Sequence, residues 1–208
     1  QSWSAISGKG DPARVKCALE TAEHYLVNRE DGVIRLLTPP FRRTPEGDHD
    51  PGYISAYPPG IRENGAQYTH GAVWLAKAFL AIGETDKGFE LLSMINPVNH
   101  ARTSMEASRY RVEPYVVAAD VYSDGRNAGR GGWSWYTGSA SWLYRTIVED
   151  LLGIRRRGKI LEVKPSLPSA WNSYKVKYKY GEKVYNISVK RGPDGTAQVE
   201  NGYIVLEE

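Results

Sequence analysis

The sequence is almost free of cysteine. Cys17 is the single cysteine among 208 residues, so no disulfide can form within the chain, which fits a reducing compartment. The four histidines, His24, His49, His70 and His100, do not show the four-residue spacing of a helical metal-binding pair. No metal is therefore expected.

Long apolar segments are also missing. No run approaches the roughly 20 residues that span a bilayer. The first twelve residues lack the charged segment and apolar core of a signal peptide. Because the chain also has no initiator methionine and begins within a pattern, we expect a fragment of a longer protein.

The sequence shows no concentrated basic region of the kind that binds nucleic acid. The net charge of +3 reads as spread along the chain, and the densest basic run, Arg155 to Arg157, reads as a solvated turn. Nucleic acid is therefore not expected as a partner. Gly-x-Ser-x-Gly, His-Glu-x-x-His and phosphate-loop motifs are absent as well, which excludes the enzyme classes that depend on them.

Tryptophan and tyrosine, by contrast, are abundant. The chain has 6 Trp and 14 Tyr against 3 Phe. Both side chains combine a flat apolar face with a polar group, a combination that suits the apolar faces and polar rims of pyranose rings. Sugar binding and ordinary core packing both stay open as interpretations of this composition.

Apolar spacing predicts five helices in the first three quarters of the chain. Asp11 and Pro12 are typical of a helix start, and this helix is predicted to end at residues 30–32. The other predicted helices run over about 66–81, from 85 or 86 to 95, from Pro114 onward, and over about 138–152. A polar loop is predicted over 42–52, and long connections of this kind are usually functional.

After Gly153 the pattern changes to the alternation of β-strands. Tyr and Val alternate with Lys over residues 174–180, so the two kinds of side chain are expected on opposite faces of a strand. The predicted fold class is therefore mainly α with a β tail. We expect α-helical hairpins over residues 1–156 and a C-terminal β-strand domain over residues 157–208.

A first group of polar residues surrounds the start of the second predicted helix. Arg62 and Glu63 lie in a loop, and Tyr68 and His70 fall in the first turns of the helix, whose positive dipole end favours an anion. His70 is either a binding residue or a core histidine bonded to a carbonyl, and both interpretations stay open.

Two later segments carry further candidates. Glu113 precedes Pro114 and can accept helix N–H groups, bind a sugar hydroxyl or pair with a nearby arginine. The segment GRGGWSWYTGSASW, residues 129–142, allows a close backbone approach through its glycines. Thr137 and Gly138 stand where the last predicted helix begins, which is typical of an anion site or of a simple N-cap.

Four motifs taken together resemble one family of carbohydrate-active enzymes. They are GYISAYPPGIRENGAQYTHGAVW, NPVNHART, YRVEPYVVAADVYS and GRGGWSWYTGSASWLYR. The sequence resembles the inverting phosphorylases that include cellobiose and chitobiose phosphorylase. It is more similar still to the C-terminal phosphorylase-like part of cyclic β-1,2-glucan synthases, with β-1,2-oligoglucan phosphorylases as the main alternative within the family.

This resemblance implies a fold and a reaction. Members carry a large (α/α)₆ toroid followed by a small β-rich piece, so the chain is expected to be the C-terminal portion of such a toroid with a small β-sheet or sandwich piece. Inorganic phosphate, a co-substrate, attacks the anomeric carbon of a β-glucan while one carboxylic acid protonates the leaving oxygen. No cofactor is implied.

The resemblance also assigns residues and partners. The implied phosphate contacts are His70, Thr137 and Gly138, and the implied sugar-binding residues are Arg62, Glu63, Tyr68, Glu113, Tyr115 and Trp135. Implied partners are a β-glucan oligosaccharide, phosphate and the remainder of a longer polypeptide, and members are often homodimers. The implied location is the cytoplasm, either free or as the cytoplasmic part of an inner-membrane glucan synthase.

Two departures from the family pattern matter. The family's general acid is an aspartate in a Trp-Asn-Asp-Gly-like motif that does not occur in these 208 residues, so this chain alone is expected to be inactive. Disaccharide phosphorylases usually carry Gln where this sequence has Ala119, which favours the glucan-synthase branch. Two alternatives stay open: an inverting hydrolase or transglycosylase with Glu63 or Glu113 as base, and a non-catalytic carbohydrate-binding or structural fragment.

Overall fold

The computed structural model describes residues 1–42, 51–135 and 137–207. Most of the polar loop predicted over 42–52 falls on residues 43–50, which lie outside the described residues. The α-helices are α1 Ser2–Ile6, α2 Pro12–Leu26, α3 Thr69–Ala81, α4 Thr85–Ile95, α5 Ser104–Tyr110 and α6 Ser139–Arg145. A π-helical segment, Thr146–Leu151, follows α6 directly, and short 3₁₀ turns cover Gly52–Ala56, Pro97–His100 and Gly125–Asn127.

The strands within the described residues are short and pair only in the antiparallel sense. They are β1 Val27–Asn28, β2 Val33–Ile34, β3 Gln67–Tyr68, β4 Asp120–Val121, β5 Ile154–Arg157, β6 Ile160–Val163, β7 Ser173–Tyr180, β8 Lys183–Arg191, β9 Ala197–Val199 and β10 Tyr203–Val205. β1 pairs with β2 and β3 with β4, while the C-terminal strands form two sheets in the orders β10-β6-β5 and β7-β8-β9.

Helix α2 begins where the sequence predicts and ends earlier. The Arg14 N–H donates to Asp11 Oδ1 at 3.0 Å, and Pro12 occupies the first helical turn. The helix buries one face of small and branched apolar side chains, Val15, Leu19 and Ala22. It stops at Leu26 because the next two residues pair with β2 instead of continuing the helix.

Helix α3 is the centre of the helical core. Eight of its thirteen residues are buried, and Phe79 is 1% exposed. Full burial of such a side chain contributes about 1.5–3 kcal/mol to stability. Helix α4 packs closely on α3 at Gly88, where an added Cβ would lie 2.6 Å from Leu80 Cγ. The start of α3 was expected near residue 66 but falls at Thr69, because residues 67 and 68 form β3.

The helix predicted from Pro114 is wrong. Residues 114–119 are not helical, and the chain then enters β4, which pairs with β3. The apolar residues of this segment are instead held by backbone bonds on two sides. The Thr69 N–H donates to the Ala119 carbonyl at 2.9 Å, and the Ala119 N–H donates to the Trp133 carbonyl at 2.6 Å.

Helix α5 was not predicted, although its start carries a clear signal. The Thr103 side chain accepts from the Glu106 N–H, and the Glu106 carboxylate accepts from the Thr103 N–H at 2.8 Å. This reciprocal arrangement is a capping box, which satisfies two backbone donors at a helix start.

The change from helix to strand occurs at Gly153, where the sequence pattern also changes. Gly153 has φ +68, and an added Cβ would lie 1.9 Å from the Lys164 carbonyl oxygen, so only glycine fits this turn. Strand β5 therefore begins at Ile154. The prediction of mainly helical structure followed by strands agrees with the structure at this coarse level.

The β tail has its own apolar core of Ile154, Leu161, Val163, Ile187, Val189 and Leu206. As predicted for residues 174–180, the Tyr and Val side chains of β7 pack toward this core and its lysines are exposed. The charge is not spread evenly, because residues 154–208 hold eleven Lys and Arg against six Asp and Glu.

None of the described helices combines the length and apolarity that crossing a bilayer demands. No three or more His, Cys, Asp or Glu side chains of residues 1–42, 51–135 and 137–207 are grouped so that they could hold a metal ion.

Candidate functional site

His70 lies at the start of α3 between aromatic neighbours and the N-terminus of α6. Its ring stacks on Tyr68 with centroids 5.9 Å apart and 22° between the planes, and it tilts against Trp74 at 5.9 Å. A Cβ added at Gly138 would lie 3.0 Å from His70 Nε2. The structure thus brings together Tyr68, His70 and Gly138, which are 70 residues apart in sequence at their extremes.

Local structure explains this meeting. Tyr68 ends β3, which pairs with β4, and His70 follows in the first turn of α3. Gly138 is the N-cap of α6, and the next residue, Ser139, is fully buried. A glycine at position 138 leaves room for the imidazole that any other side chain would crowd.

Thr137 makes local contacts at the start of α6. Its Oγ1 accepts from the Ser139 N–H at 3.1 Å and is hydrogen-bonded to the Ser139 hydroxyl. The structure therefore shows the local N-terminal role that the sequence left open for Thr137. Its role toward phosphate stays a prediction.

Burial governs the protonation of His70. The half-buried position lowers the pKa of the imidazole below its usual value of 6.5. At neutral pH the ring is therefore mainly uncharged, with one nitrogen as donor and the other as acceptor. A neutral histidine of this kind can gain a proton when an anion binds beside it.

Arg62 occupies the turn of residues 60–65, which we call the Arg62 loop. Its backbone has φ +51, a left-handed conformation that residues other than glycine rarely adopt. The guanidinium lies 5.8 Å from the Tyr68 ring centroid and 5.9 Å from that of Trp133, within cation–π range. The Arg62 Nε also lies 3.7 Å from Glu63 Oε2.

Asp120 is a site residue that the sequence analysis did not single out. Its side chain is fully buried, and its two oxygens accept from the Arg62 N–H at 3.2 Å and the Trp133 N–H at 3.3 Å. Burial raises the pKa of this carboxyl, and the Arg62 charge opposes the rise. An acidic residue within the apolar run VVAADVY was the available sequence signal.

Glu113, Tyr115 and Trp135 form a separate, exposed cluster. The Trp135 indole N–H donates to Glu113 Oε1 at 2.9 Å, and the Tyr115 and Trp135 rings meet edge to face at 6.4 Å. The hydrogen bond from Trp135 holds the pKa of Glu113 below its usual value. Tyr115 and Trp135 are each 70% exposed, so their faces are open to a ligand.

The structure bears on two of the alternatives for Glu113, and its role toward a sugar hydroxyl stays a prediction. No helix begins at Pro114, so Glu113 has no helix N–H groups to cap. Arg109, one of the two nearby arginines, pairs instead with Asp31 at 2.8 Å.

The residues around His70, the Arg62 loop and the Glu113 cluster are linked in that order. Tyr68 touches both His70 and Arg62, so the first two groups share a residue. The segment of residues 131–135, which we call the tryptophan loop, carries Trp133 beside Arg62 and Trp135 beside Glu113. No contact among the described residues joins the Glu113 cluster directly to His70.

The tryptophans divide between the two uses that their abundance suggested. Trp74 and Trp142 are partly buried and pack edge to face at 5.8 Å, and Trp142 packs against the helical core. Trp133 and Trp135 are 59% and 70% exposed in the tryptophan loop. Core packing therefore accounts for one set, and the other set is available for ligand binding.

Comparison with known proteins gives one family. Residues 1–153 match the model described as "Glycosyl hydrolase 94 superfamily, catalytic domain". The chain is 51% identical over 191 residues to the "Cyclic beta-(1,2)-glucan synthase NdvB" of Rhizobium meliloti, a match that covers 92% of this chain and 7% of that protein.

Two phosphorylases are similar over 99% of this chain. The "Cellobionic acid phosphorylase" of Neurospora crassa is 31% identical over 208 residues, which are 26% of that protein. The "N,N'-diacetylchitobiose phosphorylase" of Vibrio furnissii is 28% identical over 206 residues, which are 25% of it. The chain thus spans about a quarter of these relatives or less. The resemblance drawn from the four motifs is confirmed, and this chain belongs to the glycosyl hydrolase 94 superfamily.

Proposed function

We propose that this chain supplies the phosphate- and sugar-binding half of an inverting glycoside phosphorylase-type site that acts on β-1,2-glucan. The activity would serve cyclic β-1,2-glucan synthesis or the control of chain length. The observation that carries the proposal is the closeness of the His70 imidazole to Gly138, the N-cap residue of α6. The 51% identity to a cyclic β-1,2-glucan synthase supports the choice of glucan.

In this proposal phosphate binds between His70 and the start of α6. The imidazole, the Thr137 hydroxyl and the Gly138 N–H are the donors. Donors that are fixed before the reaction stabilise charge efficiently, because they need no reorganisation as the charge develops. Phosphate is itself an anionic nucleophile, so the second carboxylate that inverting hydrolases use to activate water is not needed.

The glucan would bind along the Arg62 loop and the tryptophan loop. Arg62, with Glu63 beside it, presents charged hydrogen-bonding groups to sugar hydroxyls, and Tyr68 and Trp133 flank the guanidinium. Trp135 and Tyr115 offer exposed ring faces to a pyranose, while Glu113 accepts hydrogen bonds.

The rest of the site belongs to a longer polypeptide under this proposal. The helical part of this chain would be the final portion of an (α/α)₆ toroid, and the general acid would come from another segment of the same polypeptide. Coverage of at most 26% of the three relatives supports this arrangement. A cytoplasmic location and a homodimer complete the proposal.

The hydrolase alternative fares less well for Glu113. A general base works best when its pKa lies near the working pH. Its hydrogen bond with Trp135 lowers the pKa of Glu113 and makes it a weaker base. This contact supports sugar binding by Glu113.

Titration calorimetry of the 208-residue chain with inorganic phosphate tests the phosphate site. His70→Asn and Gly138→Ala should each weaken phosphate binding about tenfold, which corresponds to about 1.4 kcal/mol. Exposed residues provide matched controls, His24→Asn and Ser141→Ala, which should leave the affinity unchanged. Equal losses in variants and controls would contradict the assignment.

Turnover is tested on the longer polypeptide that carries this segment. Incubation with β-1,2-glucooligosaccharides and phosphate should give a sugar phosphate with inverted anomeric configuration, detected by ³¹P NMR. Turnover that proceeds equally well without phosphate would support the hydrolase or transglycosylase alternative instead.

A further inference from the structure

We propose that Asp120 is the positioning residue that fixes the Arg62 loop and the tryptophan loop relative to each other. It thereby orients the sugar-binding side of the site. The nature of the bound sugar rests on the proposed function above, whereas the positioning itself rests on contacts within this chain.

One residue ties three segments together. Asp120 Oδ2 accepts from the Arg62 N–H at 3.2 Å and Oδ1 from the Trp133 N–H at 3.3 Å. Its backbone carbonyl accepts from the Gly132 N–H at 2.8 Å, and Asp120 is the register partner of Tyr68 in the β3–β4 pair. Arg62 is 58 residues away from Asp120 in sequence, so the carboxylate is a long-range tie.

The chemistry of a carboxylate is needed at this position. Each of the two oxygens accepts a backbone N–H, and the Arg62 Nη1 lies 3.9 Å from Oδ1. An asparagine has one acceptor oxygen only, so its NH₂ group would face one of the two N–H donors. A buried carboxylate without a partner is unfavourable, and here the partners are two amides and a guanidinium.

Gly132 shows how closely the tryptophan loop is set against this carboxylate. A Cβ at position 132 would lie 2.3 Å from Asp120 Oδ1, so a side chain there would displace the carboxylate or the loop. Gly132 is not among the glycines with a positive φ. Alanine at this position therefore acts by steric displacement and leaves the charge of Asp120 in place.

The consequence of the tie is a defined orientation for Arg62. Its left-handed backbone persists because the surroundings hold it, and the bond from its own N–H to Asp120 is the direct restraint. The same carboxylate holds Trp133, whose ring lies beside the guanidinium. Loss of the carboxylate should thus disturb the sugar side, whereas His70 and Gly138 are not bonded to it.

The test uses two single variants of the full chain, Asp120→Asn and Gly132→Ala. Amide hydrogen exchange by NMR should become at least tenfold faster at Arg62 and Trp133 in both variants, while the fold persists by circular dichroism. Matched controls are Asp150→Asn, a carboxylate paired with Lys77 and Arg155, and Gly202→Ala, where the nearest atom lies 3.9 Å away. Unchanged exchange at both amides in Gly132→Ala and Asp120→Asn would overturn the proposal.

Ligand binding gives a second readout that a general loss of stability would not reproduce. Titration with β-1,2-glucooligosaccharide should show about tenfold weaker binding in Asp120→Asn, with less than about a twofold change for inorganic phosphate. Equal loss of both affinities, or the same oligosaccharide loss in Asp150→Asn, would overturn the sugar-orienting role. If the unmodified chain binds neither ligand, the proposed function fails, and the amide exchange still decides whether Asp120 positions the loops.

Discussion

The Trp135 indole N–H donates to Glu113 Oε1 at 2.9 Å, and this bond joins the tryptophan loop to the segment before Pro114. Trp135 has φ +70, a backbone conformation that is unfavourable for residues other than glycine. Such a conformation persists only where the surrounding structure holds it. Because the carboxylate holds the indole nitrogen, the ring is kept edge to face with Tyr115. Under the proposed function, this exposed aromatic pair is held in place before a sugar binds.

Removal of this hydrogen bond should change the titration of Glu113. Trp135→Phe keeps an aromatic ring but removes the donor, so the pKa of Glu113 should rise toward its usual value of 4.5. A group with a lowered pKa stabilises the fold above its ordinary pKa, and this contribution is lost as the pH falls through the lowered value. The carboxyl resonance of Glu113, followed by NMR between pH 2 and 6, measures the change.

Trp133→Phe provides the comparison for this titration, because Trp133 is an exposed indole in the same loop that does not bond to Glu113. An unchanged titration of Glu113 in Trp135→Phe would mean that the bond does not govern its ionisation.

Phosphate binding should be accompanied by proton uptake at His70. Burial lowers the pKa of the free imidazole, and an anion beside it favours the charged form, so binding should raise the pKa. Calorimetric titrations near pH 6.5 in two buffers of different ionisation enthalpy give the number of protons taken up. His70→Asn should reduce that number, and His24→Asn should not.

The same shift predicts the pH dependence of stability of the unliganded chain. The folded chain prefers neutral His70. The contribution of His70 to the free energy of unfolding is therefore fully present above the ordinary pKa of 6.5 and is lost as the pH falls below that value. Urea unfolding at pH 7.5 and 5.5 should show a smaller pH dependence in His70→Asn than in the unmodified chain. Identical pH dependence in both would contradict the assigned burial effect.

The capping box at the start of α5 should make a measurable contribution to stability. Thr103→Ala removes the hydroxyl that accepts from the Glu106 N–H, so the free energy of unfolding should fall by about 1 kcal/mol. Chemical denaturation with urea measures the change. Ser108→Ala, an exposed substitution within the same helix, should stay within about 0.5 kcal/mol of the unmodified chain.

Local signals explain which parts of the fold could be predicted. The Asp11–Pro12 start of α2 and the strand alternation of β7 depend on neighbouring residues, and both were predicted. The helix predicted after Pro114 is wrong because the apolar spacing of this segment resembles that of a helix. Its backbone instead pairs with β3 and with the tryptophan loop. The Thr103-x-x-Glu106 pattern is the local signal that indicates the start of α5.

The site could be predicted in part. Resemblance drew attention to His70 and Gly138, and the structure shows them in contact range although no spacing rule requires it. Asp120 was missed because its importance lies in bonds to Arg62 and Trp133, which only the folded chain brings together. The roles of these residues toward phosphate and sugar stay predictions until the binding experiments are done.

The lysines of β7 have a consequence for association of the molecule with copies of itself. Among the described residues, β7 is an edge strand of its sheet and pairs with β8 alone. Lys175, Lys177 and Lys179 stand on its exposed face, roughly 7 Å apart. A second β7 paired with this edge would bring lysines of the two strands close together. Their charge repulsion disfavours edge-to-edge pairing between two copies of the chain.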